Sequence, residues 1–367
     1  MEEKLFIILR LGLDLTNPSN EPIQLFKGMT ESEFDQLRQF ADEQGVGGVC
    51  FSGLQKVMTA LGQDDQTLLD SMAYLKWLGM TAKRAQLNEQ QLQTTKKLAE
   101  EWGKRGIKMM LMKGQANGLL YPNPKHRDKG DVDVFLIKDG RCAYAEGDEA
   151  ARKMGLHVDD SWYKHSQIAA NGETIENHQY FVHTRDGNRG KNLDKTLREL
   201  VFVDQYETYP DSEILLPPVM FNALFLTYHA LAHFVSEGMH QKQVVDWAMF
   251  LKKEGSNIDW PQLYDLCDKY NLRVFLECMN NIAMKYLMVP GEVSVSAHYS
   301  KHADKIMQSV LHDKDFVFGS GEGSWHNRVH LITNLFKYRW KYEEVYQQSI
   351  WLQIWYYVTG YFFKTEK

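Results

Sequence analysis

The chain has only four cysteines in 367 residues, Cys50, Cys142, Cys267 and Cys278, and no two stand in CxxC spacing. Neither a zinc knuckle nor a disulfide framework is therefore its organising principle. It also lacks any uninterrupted apolar run of about 20 residues, the length a membrane-spanning helix needs, so no membrane span is expected. The start, Met1-Glu2-Glu3-Lys4, is acidic, and the apolar run behind it is short. A secretory signal wants a basic start and a longer apolar core, so none is read and the cytoplasm is the default location. Positive charge is in deficit: 42 Lys and Arg against 48 Asp and Glu give a net charge of −6. Without a broad positive field, binding along a long nucleic acid is not expected, although a local basic groove stays open. No internal repeat of fixed period is found.

What is present is ordinary for a globular protein: 44% hydrophobic residues, 25% charged and 12% aromatic. The length suggests two or three domains. The pattern divides at residues 105 and 216 and reads as an α+β fold. Residues 1–105 are expected to be helical, with a helix start at Thr30-Glu31-Ser32-Glu33, whose acidic first turn suits the helix dipole. A glycine-rich patch, Gly45 to Gly53, is expected to break the helices, which resume over residues 64–79 and again over the long polar stretch from Thr81 to Arg105. Residues 106–216 mix strands and helices. Ile107 to Met112 and Val132 to Ile137 are short, nearly all apolar runs, as buried strands are. Gly114 to Tyr121 and Cys142 to Met154 read as helices. Extended pieces are expected at Leu156–Val158, Tyr163–Ala170 and Glu173–Phe181, and Asn171-Gly172 between the last two is a strong hairpin signal. Asp186 to Asn192 reads as a polar loop, and residues 197–206 and 213–216 as short strands or a helix. Residues 217–367 return to helices and end in an aromatic tail from Trp325 to Phe363, with Arg328, Lys337, Arg339 and Lys341 interspersed, that is expected to pack into the helical domain.

The chemistry is concentrated between Ile107 and Ile137. Residues two apart on a strand share a face, so Asp131 and Asp133 converge while Val132 and Val134 turn into the core. Paired carboxylates repel one another unless a cation lies between them, and their oxygens suit a hard ion such as Mg²⁺. Eighteen residues earlier, an apolar strand ends in Lys113-Gly114 and opens a helix. Glycine permits close backbone approach, free N–H groups face an anion, and Lys113 adds a charge fit for phosphate. Together the two elements make a nucleoside-triphosphate site, with Arg127 as a further phosphate contact. Glu176, on the second arm of the hairpin with His178 on the same face, would complete an acidic triad if that arm lies beside the Asp131–Asp133 strand. Glu173 is its rival.

The order Met112-Lys113-Gly114, Leu119-Leu120-Tyr121-Pro122 and Arg127-x-x-Gly130-Asp131-Val132-Asp133-Val134 resembles the DNA polymerase β-like nucleotidyltransferase superfamily. More closely it is similar to a bacterial group of uncharacterised nucleotidyltransferases. Glu176-Asn177-His178 stands where that group has an acidic residue before x-His. Tyr228-His229-Ala230-Leu231-Ala232-His233 and Asp246-Trp247-Ala248 look like its pair of histidines and downstream aspartate. The likeness spans roughly residues 95–255. Two features depart from the wider pattern: Lys113-Gly114 replaces the superfamily's Gly-Ser, and Gln179 follows the acidic element where an aromatic is more usual. The resemblance implies a central mixed-sheet nucleotidyltransferase core with helical flanks. It further implies transfer of a nucleoside monophosphate from a nucleoside triphosphate, such as ATP, with Mg²⁺ (or Mn²⁺). The acceptor would be a small molecule, a protein or an RNA end.

His229 and His233, four apart, share a helix face. With Asp246 they allow three readings: a His/His/Asp metal site of a hydrolase, contacts to nucleotide or acceptor, or a hydrogen-bonded pair between packed helices. A nucleotidyltransferase fold that binds or scaffolds a nucleotide without turnover is the remaining alternative. Hydrophobic periodicity does not decide among these.

Overall fold

The computed structural model describes residues 1–62, 71–184, 187–236, 238–291, 296–313, 333 and 335–362. The first residues of the helical stretch expected from residue 64, Asp186 of the expected polar loop, and Arg328 and Phe363 of the aromatic tail lie outside the described residues.

The chain opens with α1 (Glu2–Gly12), α2 (Glu31–Glu43), α3 (Gly47–Leu61) and the long α4 (Met72–Gly103). Helix α2 starts where the sequence marks it. Thr30 Oγ1 accepts from the Glu33 backbone N–H, and the Glu33 carboxylate accepts from the Thr30 N–H, a reciprocal capping box. The glycine-rich patch breaks the helices only at its start, where Gly45 (φ 66°) lies between α2 and α3; Gly47 to Gly53 lie inside α3. A Cβ on Gly53 would stand 1.7 Å from the Ile8 carbonyl oxygen, and one on Gly12 would stand 2.1 Å from that of Val49. These glycines let α1 and α3 touch backbone to backbone, and that contact outweighs their poor helix propensity.

The middle of the chain builds one six-stranded sheet: β1 (Lys108–Met112), β2 (Val132–Lys138), β3 (Arg141–Cys142), β4 (His157–Asp159), β5 (His165–Ala170) and β6 (Glu173–His178). The strand order is β1-β2-β6-β5-β4, with β3 a short antiparallel addition to β2. The sheet is mixed. Strand β2 runs antiparallel to β1 and parallel to β6, and β5 pairs with β6 as the hairpin that Asn171-Gly172 signals. A parallel pair needs a crossover, and the chain between β2 and β6 supplies it through α6 (Tyr144–Lys153). The short α5 (Gly114–Gly118) follows β1.

Helices then return as α7 (Gly187–Val201), α8 (Val219–Ser236), α9 (Gln241–Glu254), α10 (Trp260–Lys269), α11 (Arg273–Leu287), α12 (Ser300–His312) and α13 (Ile350–Phe362). Helix α7 occupies most of the stretch expected to be a polar loop and the first residues of the piece expected from 197. Leu193, Leu197 and Val201 recur at helical spacing and are all buried, so the packed stripe prevails over the polar start. Leu215 exchanges backbone hydrogen bonds with β1, as an isolated bridge rather than a strand. Helix α8 is the one helix among the described residues long and apolar enough to cross a membrane, but 67% of it is buried against the rest of the chain.

The two faces of the sheet serve different cores. Met109, Leu111, Val134, Leu136, Ile168 and Ile175 pack with Ala150 and Ala151 of α6 and with Leu98 and Trp102 of α4. Met110, Met112, Phe135 and Ile137 face a single larger core that joins the amino-terminal and carboxy-terminal helices. The Arg10 guanidinium crosses that core to the Tyr286 carbonyl at 3.1 Å. Asp133 alternates onto this second face, which presents it to the helices.

Candidate active site

Between that face of the sheet and helices α8 and α9 lies a cleft of about 460 Å³. Its sheet side carries Lys113, Gly114, Asp131, Asp133, Lys164, His165 and Glu176; its helical side carries Tyr228, His229, His233 and Lys242. The register explains the acidic cluster. Asp133 and Glu176 are direct partners across the parallel β2–β6 pair, so both side chains leave the sheet on the same face. Asp131 sits just before β2, at the same end of the cleft. Glu173 lies an odd number of residues from Glu176 and points the other way. Its carboxylate accepts from Lys129 Nζ at 2.7 Å and from Gln91 Nε2 at 2.9 Å.

Lys113 is held in the left-handed region, with φ of 42°, where the chain turns from β1 into α5. A side-chain-bearing residue there is strained, and such strain collects at functional turns. The turn delivers Lys113 Nζ to 2.7 Å from Asp133 Oδ1. His178 Nε2 reaches the same oxygen at 3.0 Å. Burial alone would raise the Asp133 carboxyl pKa, but the Lys113 ammonium and the His178 hydrogen bond outweigh it and hold the group well below the carboxylate range. Asp131 moves the other way. Although the residue is exposed overall, partial desolvation raises its pKa, and the charges of Glu176 and Asp133 add to that. In Glu176 burial opposes ionisation, yet the hydrogen bond from His178 leaves its pKa lowered.

The cationic side of the cleft is richer than the motifs suggest. Burial, then the nearby Lys113 charge, pushes the Lys164 ammonium down to about 8. Burial, then Arg127, pushes Lys242 down to about 8 as well. Lys242 Nζ donates to the Lys129 carbonyl at 3.2 Å, beside Gly130. His229 and His233 are hydrogen-bonded to each other, Nε2 to Nε2 at 3.1 Å, so one ring donates and the other accepts. Burial and then Lys113 depress the His229 pKa far below its ordinary value, which keeps that ring neutral. Trp162, 42% exposed, and His183 flank the same cleft.

Two expected roles change. Arg127 gives Nε to Asp246 Oδ1 at 2.8 Å, Nη2 to Asp246 Oδ2 at 2.7 Å and Nη1 to the Asp128 carbonyl at 3.2 Å. Tyr121 Oη donates to Asp246 Oδ1 at 2.6 Å. All three guanidinium nitrogens are thus engaged in anchoring the loop, while Arg127 also lines the cleft. Asp246, in turn, is occupied by Arg127 and Tyr121. Among the described residues His229, His233 and Asp246 do not gather as metal ligands; the group that does is His165, Glu176 and His178. The metal-hydrolase arrangement is therefore not formed.

The loop from Arg127 to Gly130 is clamped from every side. Asp128 pairs with Arg84 of α4 at 2.7 Å, Lys129 with Glu173 of β6, and the Gly130 carbonyl accepts from Gln91 of α4 at 2.9 Å. Lys164, His165 and Lys242 were not singled out in the sequence. Lys242 has no signal there, being one lysine of a polar helix start. His165 did have one, because counting outward from the Asn171-Gly172 turn pairs it with His178.

A parallel-and-antiparallel sheet that sets acidic side chains at the mouth of a lysine-lined cleft, beneath a helical body, defines a nucleotidyltransferase core with helical flanks. The chain belongs to a family described as uncharacterised nucleotidyltransferases, whose sequence model matches residues 30–287. That span runs from the Thr30 cap of α2 to the last residue of α11, so it takes in helices on both sides of the sheet. No curated protein and no solved structure matches the chain.

Proposed function

We propose that the protein transfers a nucleoside monophosphate from a nucleoside triphosphate to an acceptor and releases pyrophosphate. The observation that carries this reading is the register of Asp133 opposite Glu176, with Asp131 beside them, at one end of a cleft that also holds Lys113, Lys164 and Lys242.

The donor set fits a divalent cation. The three carboxylates line one end of the cleft without closing to ligand spacing, and the pKa of Asp131, raised by desolvation and then by Glu176 and Asp133, is consistent with like charge that a cation would relieve. Asp131, Asp133 and Glu176 would hold Mg²⁺ or Mn²⁺. When bound, the ion would offset negative charge on the triphosphate and favour the ionised form of the attacking oxygen. The remaining work falls to the chain itself. Lys113, the Gly114 backbone, Lys164 and Lys242 offset the triphosphate charge and orient the leaving pyrophosphate. The helical wall, with His229 and His233, shields the reacting phosphorus from bulk water. The acceptor oxygen bonds to the α-phosphorus, the bond from that phosphorus to the bridging oxygen breaks, and the acceptor proton passes to solvent. The cleft volume favours a small molecule, a protein side chain or an RNA end as acceptor over a long duplex.

The test uses the full-length protein with each α-labelled nucleoside triphosphate, Mg²⁺ and a cell extract. A labelled product together with pyrophosphate is expected. Asp131→Ala combined with Asp133→Ala should reduce the rate at least about 100-fold, as loss of the charge-stabilising machinery does. Activity that survives the double substitution overturns the mechanism.

A further inference from the structure

The imidazoles beside Glu176 carry an inference that the carboxylate triad does not. Strands β5 and β6 place His165 directly opposite His178, and their rings lie 5.1 Å apart. Glu176 is two residues before His178, on the same face. Its Oε2 stands 3.5 Å from both His165 Nδ1 and His178 Nε2. The three ligand atoms all lie within 4.8 Å of one another. Bonds of about 2.1 Å to one central ion put neighbouring ligand atoms about 3.0–3.5 Å apart, and the two Glu176–imidazole separations of 3.5 Å match that spacing.

Two further observations point to a ligand rather than to a hydrogen-bonded cluster. His165 Nδ1 is buried and has no hydrogen-bond partner. His178 Nδ1 faces the Tyr180 carbonyl at 3.2 Å. A carbonyl only accepts, so Nδ1 carries a proton, and Nε2 faces Asp133 Oδ1 at 3.0 Å and Glu176 Oε2 at 3.5 Å, where a proton or a cation lies between them. Donation of the far ring N–H to a backbone carbonyl is also how metal-binding histidines are oriented.

We infer that His165, Glu176 and His178 bind one divalent transition-metal ion, with Asp133 as a neighbouring oxygen donor. Two imidazoles with one carboxylate favour borderline ions such as Co²⁺ or Zn²⁺, and to a lesser degree the harder Mn²⁺, over Mg²⁺, which prefers an all-oxygen shell. The site shares Glu176 and Asp133 with the transfer centre, and its use in catalysis rests on that proposal, but the binding itself does not. Nucleotidyl transfer by this chain would then run better on Mn²⁺ than on Mg²⁺.

Full-length protein stripped by a chelator is titrated with Mn²⁺, without nucleotide, and read by pulsed electron paramagnetic resonance. The wild type should show imidazole ¹⁴N coupling, and Mg²⁺ should displace the Mn²⁺ only at a large excess. His165→Ala, checked for an unchanged far-ultraviolet spectrum and melting temperature, should weaken Mn²⁺ binding roughly tenfold or more and diminish the nitrogen coupling. The wild-type spectrum is decisive should that variant fail to fold. Mn²⁺ bound without nitrogen coupling, equal affinity in a folded His165→Ala, or no bound ion overturns the inference. Asp131→Ala separates the two proposals, since it should abolish transfer while the nitrogen coupling persists. Transfer without nitrogen coupling sinks only the metal assignment, and nitrogen coupling without transfer sinks only the reaction.

Discussion

Lys242 hangs at the junction of loop and helix with its ammonium pushed down to about 8, first by burial and then by Arg127. Asp246 and Asp128 pull its pKa up, and Lys113 adds to the downward push. A bound triphosphate would favour the charged form, so the free site releases protons above pH 8 that the nucleotide-bound site keeps. Nucleotide binding measured without divalent ion should therefore weaken as pH rises through about 8, with net proton uptake on binding at pH 8.5–9. Calorimetry in buffers of different ionisation enthalpy reads that uptake directly. Lys242→Met should roughly halve the uptake and shallow the pH dependence, because Lys164, also pushed down to about 8, supplies the rest. A dissociation constant that stays level from pH 7 to 9.5 in the wild type would show that Lys242 does not face the phosphates. At this scale strand alternation made Asp131 and Asp133 legible as a pair, and Glu176 joins them only through the parallel pairing of β2 and β6. Of the site's basic half only Lys113 was legible: Lys164 and Lys242 reach the cleft through the packing of β5 and α9, which no local pattern encodes.

The elements show where periodicity informs and where it misleads. The hairpin was legible down to its register, since the two-residue Asn171-Gly172 turn sets every pair from Ala170–Glu173 out to His165–His178. The glycines of α3 misled, because glycine signals a break only when nothing rewards its missing side chain. Here the reward is contact with α1. Gly53→Ala supplies a test, since on helix propensity alone it would stabilise α3 by about 1 kcal/mol. The new Cβ would stand 1.7 Å from Ile8 O and 2.8 Å from Gly12 N, both backbone atoms that cannot swing aside. The expected result is destabilisation by about 1–3 kcal/mol or more, from overpacking. Gly79→Ala in α4 is the control: nothing lies within 4 Å of its Cβ, so the propensity gain should appear undiminished. Urea melts of the two variants should thus move in opposite directions. A Gly53→Ala protein as stable as the wild type would mean that α1 and α3 are not in backbone contact.

Across the whole molecule, the residues of the Tyr121, Arg127 and Gly130-Asp131 motif do two jobs. Asp131 and Asp133 face the cleft, while Tyr121 and Arg127 tie the sheet to α9 through Asp246. Sequence alone read Arg127 as a phosphate contact and left Asp246 open among a metal ligand, a substrate contact and a structural partner, because a motif names residues and not which of them hold the others in place. The family span from α2 to α11 fits this division, since α4, β6 and α9 each contribute a clamp to the Arg127–Gly130 loop. The Arg127–Asp246 pair is buried, so removing one partner strands a charge. Arg127→Ala is expected to cost about 3–5 kcal/mol. The Asp246 pKa stays lowered: burial opposes ionisation, but the Arg127 charge and its hydrogen bonds outweigh it. Its contribution to stability is therefore full above the unfolded carboxylate pKa of about 3.9 and is lost as pH falls through the lower folded value. Adding Asp246→Asn to Arg127→Ala should recover part of the loss, because no charge is then left unpaired, and the two costs should fall short of additive by about 1–3 kcal/mol. Urea denaturation at pH 7 of the two single variants and the double variant measures that coupling. Nucleotide affinity should follow the same non-additive pattern, since the loop that fails to anchor is the one that presents Asp131. Strict additivity in both measurements would mean that the loop is held elsewhere, by Arg84 and Gln91 of α4, and that α9 does not position the site.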